Sequence, residues 1–265
     1  MKFIVPEKIE KELKTDFIGQ RIHYFAEVTS TNDVAKELAT LKVTEGTVVI
    51  AEAQTCGRGR LGRGWLSPKG GIWFSVILRP NVEAKDVFKI TFLTAVAVAK
   101  TIRKTFKIDA EIEWPNDVLV NGRKVCGILT ETSIRGETVD SVIVGVGINA
   151  NVDINLFPKD LKKTVTTLAA EIKRKVDQEK LLHKILEELE AHYKMFKENK
   201  FDSILEEWKQ LNRLFGANVE VVSFNEKIVG QAVNVDKNGA LVIRLSDGTT
   251  RKIFSGDVTL LQEKG

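Results

Sequence analysis

Cysteine is scarce in this chain: Cys56 and Cys126 are the two it has in 265 residues, and they form no CxxC or other metal-like spacing. Two thiols in a chain this long build no disulfide framework, so redox and cysteine-metal roles are poor readings. There is also no run of 18 or more apolar residues, which excludes a hydrophobic helical span. The N-terminal MKFIVPEKIEKELK turns charged too early to read as a secretory leader. These absences predict a cytoplasmic protein with no membrane partner. Charge of one sign is missing as well. Forty basic residues against 36 acidic ones leave a net +4, too mild for nucleic-acid binding across the whole surface. Any anion site must be local.

What is present is 43% hydrophobic residues, enough for one large core and a small satellite domain. Residues 1–20 alternate charged and apolar groups at helical spacing, and residues 21–27 read as a strand. That is too little sequence for a helix-turn-helix domain ahead of it, so DNA is not an expected partner. Ser30-Thr31-Asn32 before Val34, Ala35, Leu38 and Ala39 predict an N-cap and a short amphipathic helix. Strands are expected at 46–53 and 72–79, and between them residues 54–71 are too rich in glycine for helix or strand. A wide apolar stripe over 85–106 predicts a helix covering one face of a sheet. Strands follow at 110–114, 118–121, 124–133 and 138–149, with Asn121-Gly122 and Arg135-Gly136 as hairpin turns. Consecutive hairpins imply a largely antiparallel sheet. The helical period returns from about 164 to 213. After Phe215, short strands at 219–222, 228–235, 241–245 and 250–254 alternate with turns at Asn225, Asn238-Gly239 and Asp247-Gly248. The expected fold is α+β: a mixed, largely antiparallel sheet flanked by helices in residues 1–213, then an SH3-like β-barrel in residues 214–265.

The glycine-rich stretch from Gln54 to Trp65 reads QTCGRGRLGRGW, and Gly57, Gly59 and Gly62 formally satisfy G-x-G-x-x-G. The dinucleotide fingerprint needs a helix N-terminus after the glycines, and Gly64, Pro68, Gly70 and Gly71 forbid one. A flexible loop with Arg58, Arg60 and Arg63 can instead close over a polyanion, its guanidinium forks holding phosphate oxygens. A solvated basic loop or an RNA-binding segment is the plain alternative. Further on, Glu113-Trp114-Pro115-Asn116-Asp117 ends a strand in a turn, which is either simple turn chemistry or a rigid mount for the Asp117 carboxylate. Period-two alternation places Lys124 on the face of Cys126 and Ile128, either directed into a site or at the sheet margin.

Six motifs in order and spacing carry a resemblance: Ser30-Thr31-Asn32, Gln54-Thr55, the run from Gly57 to Trp65, Trp114-Pro115-Asn116-Asp117, Lys124-Val-Cys-Gly127-Ile128-Leu129, and Gly145-Val-Gly147-Ile-Asn149. Together they resemble the biotin protein ligases of the shorter class, over roughly residues 20–265. The resemblance implies a class II synthetase-like catalytic domain that joins biotin to ATP as biotinyl-adenylate, with Mg²⁺. Biotin then passes to a lysine of a biotin carboxyl carrier protein. It implies that Ser30, Thr31, Asn32 and Gln54 hold the biotin ureido ring, and that Gly57, Arg58, Gly59 and Arg60 close over biotin and adenylate. It puts Arg63 near the phosphates and Trp65 and Asn149 near adenine. Lys124 would meet the carboxyl and α-phosphate, with Gly127 beside biotin, and Asn116 and Asp117 would receive the acceptor lysine. A homodimer is expected too, partly because the sheet over 110–149 must end in an edge. One position departs from the family pattern: Glu113 stands where lysine is common. Alternation sets Glu111 and Glu113 opposite Ile112 and Trp114, which favours solvent for both.

Two reactants of like charge must meet in such chemistry. Arg60, Arg63, Lys124 and Mg²⁺ would offset the charge developing at the α-phosphate, and Asp117 would orient the amine or take its proton. A lipoate ligase is the nearest alternative enzyme, and a nucleic-acid-binding protein using the arginine loop and the barrel is the alternative of another class.

Overall fold

A computed structural model describes residues 9, 11–135, 138–223 and 226–261. The larger sheet has seven strands: β1 (Ile22–Val28), β2 (Val48–Gln54), β3 (Ile72–Leu78), β4 (Ala110–Glu113), β5 (Asp117–Val120), β6 (Arg123–Arg135) and β7 (Thr138–Ile148). Their spatial order is β1-β2-β3-β7-β6-β5-β4. β1 and β2 run parallel and every other neighbouring pair is antiparallel. The architecture is therefore mixed α+β with a large, mostly antiparallel sheet.

Alternation along the central strands decides which helix covers which face. Val48 and Ile50, Phe74 and Val76, and Val142 and Val144 join a large core with Ile90, Leu93 and Val96 of α2 (Phe88–Phe106). Residues of the opposite parity, Val49, Ile77 and Ile143, pack instead with Ala35 and Ala39 of α1 (Thr31–Thr40). Successive side chains of a strand point to opposite faces, so a strand covered on both sides reads as one apolar run. β3, IWFSVIL, is buried at every position. Each fully buried aliphatic side chain contributes roughly 1.5–3 kcal/mol, which makes this double layer the main source of stability.

The long helical stretch separates into α3 (Leu168–Ile172), α4 (Gln178–Lys197) and α5 (Phe201–Leu211). Phe92 of α2 stacks on Trp208 of α5 with ring centres 4.7 Å apart, and Phe215 lies 6.4 Å beyond. A second sheet follows: β8 (Asn218–Ser223), β9 (Glu226–Val235), β10 (Leu241–Arg244), β11 (Thr250–Ile253) and β12 (Asp257–Leu260), in the order β11-β10-β9-β8-β12. It is tied to the first where the Trp114 indole N–H donates to the Gly239 carbonyl at 2.9 Å.

Two expectations change. The helix predicted over 85–106 starts at Phe88, after a 3₁₀ turn at Ala84–Asp86. Strand β12 was not expected, because SGDVTLL offers one short apolar pattern after Phe254. The turn at Asn121-Gly122 is present, with φ of 50° and 71°, the left-handed pair a tight hairpin needs. The turns expected at Arg135-Gly136 and Asn225 involve Gly136 and Asn225, which lie outside the described residues.

Candidate functional site

The face covered by α1 is left open beyond the helix, and a cavity of about 540 Å³ stands there. Its floor is backbone. Gly127 of β6 pairs with Gly147 of β7, and Leu129 pairs with Gly145. A Cβ built on Gly147 would lie 2.5 Å from the Trp65 indole nitrogen, one on Gly127 would lie 2.9 Å from the same ring, and one on Gly145 would strike the Asn32 amide. Trp65 and Asn32 thus rest directly on the sheet.

One end of the cavity is a fixed polar network. Ser30 has the extended backbone of an N-cap but its side chain makes no capping bond. The cap comes from Gln54, whose Oε1 accepts from the Thr31 backbone N–H at 2.8 Å and lies 3.1 Å from the Thr31 hydroxyl. The Gln54 amide in turn donates to Ser67 at 2.8 Å. The Ser75 hydroxyl sits 2.8 Å from Thr31 Oγ1 and 2.6 Å from Asn32 Oδ1. Asn32 donates to Glu131 at 2.6 Å, and Glu131 also accepts from Lys36 at 2.5 Å and from Arg58 at 3.3 Å. Burial opposes ionisation of Glu131, but the bonds from Lys36 and Asn32 outweigh it and hold its carboxyl below the usual range. Arg58 also pairs with Asp33 of α1 at 2.6 Å.

The glycine-arginine stretch is a miniature hairpin, not the irregular loop its composition suggests. Gly59 N–H donates to Arg63 at 2.7 Å and Trp65 N–H to Gly57 at 2.8 Å, around a 3₁₀ turn at Arg60–Gly62. Gly57 has no room for a side chain, since a Cβ would lie against Ser67 and the Trp65 carbonyl. Its three arginines are held at three places. Arg58 joins α1 and β6; Arg60 donates to Asn116 at 2.8 Å and to Ser255 at 3.2 Å; Arg63 forms a two-pronged pair with Asp257 of β12.

Opposite the hairpin lies the turn between β4 and β5. Asn116 Nδ2 donates to the Ile128 carbonyl at 2.9 Å, which fixes its oxygen toward Arg60. Lys124 reaches Asp117 at 2.5 Å and lies 5.0 Å from the centre of the Trp65 ring. The simple alternation expected for Lys124, Cys126 and Ile128 fails. Val118 pairs with Cys126 but Leu119 pairs with Lys124, so Val125 is an extra residue in a bulge. Cys126 and Ile128 enter the core while Lys124 turns into the cavity beside Gly127. Glu113 is likewise not in solvent: it lines the cavity with its side chain 23% exposed, 4.0 Å from Arg213. Burial raises its pKa to about 7; Arg213 opposes the rise and Asp117 adds to it.

Three side chains on this wall hold a buried polar atom with no partner among the described residues: Trp65 Nε1, Asp117 Oδ1 and Asn149 Oδ1. Such atoms are costly unless something else meets them. Asn149 is held by its other end, donating to Thr166 at 3.2 Å.

Residues 24–149 match the Biotin/lipoate A/B protein ligase family, and residues 214–261 match the Biotin protein ligase C terminal domain. The "Bifunctional ligase/repressor BirA" of Bacillus subtilis is 38% identical over 249 residues, 94% of this chain and 76% of that protein. The chain belongs to the biotin protein ligase family. Another member, the biotin–[acetyl-CoA-carboxylase] ligase of Mycobacterium tuberculosis, is 28% identical over 97% of both chains. The solved biotin protein ligase of Aquifex aeolicus, in complex with biotin and ATP, superposes with a TM-score of 0.78 at 31% identity, covering 92% of this chain and all of that one.

Of the residues that the ligase resemblance singles out, Thr31, Asn32, Gln54, Arg58, Gly59, Arg60, Arg63, Trp65, Asn116, Asp117, Lys124, Gly127 and Asn149 line this one cavity. Ser30 and Gly57 stand behind its wall. Sequence reasoning missed Ser75, Glu131, Ser255 and Asp257. A glutamate two places after Leu129 in a buried strand was a signal for Glu131; nothing local marks Asp257, which meets Arg63 from 194 residues away.

Proposed function

We propose that this chain is a biotin protein ligase, which activates biotin with ATP to biotinyl-adenylate and pyrophosphate. It then transfers biotin to a lysine of a biotin carboxyl carrier protein. The observation that carries the reading is the convergence of three arginines, Lys124 and three polar atoms without a partner among the described residues on one cavity with a glycine floor. A carboxylate becomes reactive toward an amine only when its oxygen is made a leaving group, and a mixed anhydride with AMP does this. The protein's task is then to place like-charged reactants together and neutralise them.

In this reading the Thr31, Asn32 and Gln54 network, backed by Ser30, receives the biotin ureido ring, and Gly57, Arg58, Gly59 and Arg60 close over it. Trp65 and Asn149 take the adenine end, Arg63 the phosphates, and Lys124 the reacting carboxyl and α-phosphate. Asp117, one oxygen on Lys124 and the other without a partner among the described residues, is suited to receive the acceptor amine with Asn116. That amine must be neutral, which is rare near pH 7 for a group with a pKa of about 10.4. Mg²⁺ takes one or two carboxylates together with phosphate oxygens, a demand that Asp117 and Glu113 fit, although no group of three metal-type side chains exists among the described residues. When bound it would offset phosphate charge.

Residues 1–213 are proposed as the catalytic domain, class II synthetase-like, and 214–265 as an SH3-like domain. Cytoplasmic location is part of the same proposal; among the described residues no helix is long and apolar enough to cross a membrane. A homodimer is also proposed. The β4 edge is already met at Ile112 by Arg213 and Asn212, so β1 is where pairing would occur, and light scattering with biotin and ATP present tests it. A biotin-dependent ATP–pyrophosphate exchange assay, repeated with lipoate, tests the central reading. Exchange with biotin alone supports it, exchange with lipoate alone makes the chain a lipoate ligase, and no exchange together with steeply salt-dependent polynucleotide binding replaces it.

A further inference from the structure

Asp257 opens β12, the last strand of the second sheet, and its carboxylate takes both terminal nitrogens of Arg63. Two residues earlier, the Ser255 hydroxyl accepts from Arg60 at 3.2 Å. These contacts join opposite ends of the chain, 194 and 195 residues apart. They fall on the two arginines at the tip of the hairpin, where Leu61 is held at φ 55° and 66% exposed. Arg58, at the base, is anchored within the first sheet and helix α1. The base is therefore fixed by the first sheet, and the tip by Asp257 and Ser255 together with Asn116 of the β4–β5 turn. Gly256 and Asp257, with Val258, Thr259 and Leu260, also form part of the cavity wall.

We propose that Asp257, assisted by Ser255, is a positioning residue for the nucleotide half of the site: the second sheet holds the arginine hairpin over the cavity before ATP arrives. A guanidinium paired at two points has its plane and reach fixed. A glycine-rich hairpin without that anchor must be ordered by the nucleotide itself, which weakens binding. The inference rests on the ligase reading for its nucleotide, but the anchor can be read without any substrate.

The hairpin carries three tryptic sites, Arg58, Arg60 and Arg63, so the rate of limited cleavage there reports how often the tip leaves its seat. Wild type, Asp257→Asn, Asp257→Glu and Ser255→Ala would be digested without ligand, and the cut sites assigned by mass spectrometry. Asp257→Asn should be cut about fivefold faster, the scale of one well-aligned exposed pair, and Asp257→Glu should restore resistance. In pyrophosphate exchange, Asp257→Asn should raise KM for ATP by a similar factor, with kcat and KM for biotin nearly unchanged. Equal cleavage of wild type and Asp257→Asn would overturn the anchor. A lower KM for ATP would overturn it too, since Asp257 would then be an obstacle to the phosphates. Absent exchange in the wild type would remove the ligase reading and leave the cleavage result to decide the anchor alone. Should Asp257→Asn fail to fold by circular dichroism, Ser255→Ala must be cut faster than wild type, and equal rates reject the proposal.

Discussion

Lys124 and Asp117 form an ion pair of 2.5 Å that exists only because a bulge at Val125 turns Lys124 out of the core and into the cavity. A cation delivered by a strand is placed more firmly than one delivered by a loop. Replacing Lys124 by alanine should leave the protein folded, since the side chain is partly exposed. It should cost adenylate formation on the order of 2–4 kcal/mol in the transition state, about thirtyfold or more in rate. Pyrophosphate exchange by Lys124→Ala at the wild-type rate would remove Lys124 from the chemistry.

Glu113 gives a pH dependence with a definite sign. Its folded pKa of about 7 lies above the ordinary carboxylate value because the group is buried. Below about pH 4.5 it is protonated in folded and unfolded chains alike and carries no penalty. As pH rises through 7 the folded protein must ionise a buried group, and up to ~3 kcal/mol of stability is lost, less where water screens the site. Glu113→Gln should therefore match wild type in urea melts at pH 4.5 and exceed it at pH 8. A gap that is the same at both pH values would contradict this account.

The two glycines of β7 under the cavity predict separable defects. Gly145→Ala pushes on Asn32 and should raise KM for biotin, whereas Gly147→Ala pushes on Trp65 and should raise KM for ATP. Overpacking of this kind typically costs about 1–3 kcal/mol locally, enough for a tenfold change. Indole fluorescence should shift in Gly147→Ala more than in Gly145→Ala. Both variants affecting both substrates equally would mean that the floor is not divided in this way.

Arg60 bonds Asn116 and Ser255, so its loss should free the hairpin tip. Arg60→Gly also loosens the backbone, and the closed state should weaken by roughly 2 kcal/mol, about a thirtyfold shift toward open. Biotinyl-adenylate would then escape and label lysines at random. With biotin, ATP and albumin present, a streptavidin blot should show far more albumin labelling than with wild type. No increase while pyrophosphate exchange persists would refute the role.

The strands and helices that build the sheet were legible because each obeys one period. Val48, Val49 and Ile50 alternate between two helices, and nothing distant is needed to see it. The motif residues were legible as a set through the order and spacing of six motifs that resemble the ligase family, since the arginine loop alone reads equally well as a solvated basic segment. Two kinds of feature were not. The Val125 bulge changes a side chain's face by inserting a single residue, and no periodic argument registers that; Glu113 was likewise assigned to solvent because alternation names a face without saying what covers it. The partners of Arg60 and Arg63 come from a strand at the far end of the chain, and contacts of that length follow from topology, not from neighbours in sequence.

The floor of the cavity has a consequence for how its contents can change. Gly127, Gly145 and Gly147 have already reduced that surface to peptide. Substitution can raise it but cannot lower it further, so variation there runs in one direction, toward smaller occupants. Room for a bulkier ligand has to come from the side chains that line the rest of the cavity, among them Trp65, Leu129, Phe157 and the arginines of the hairpin.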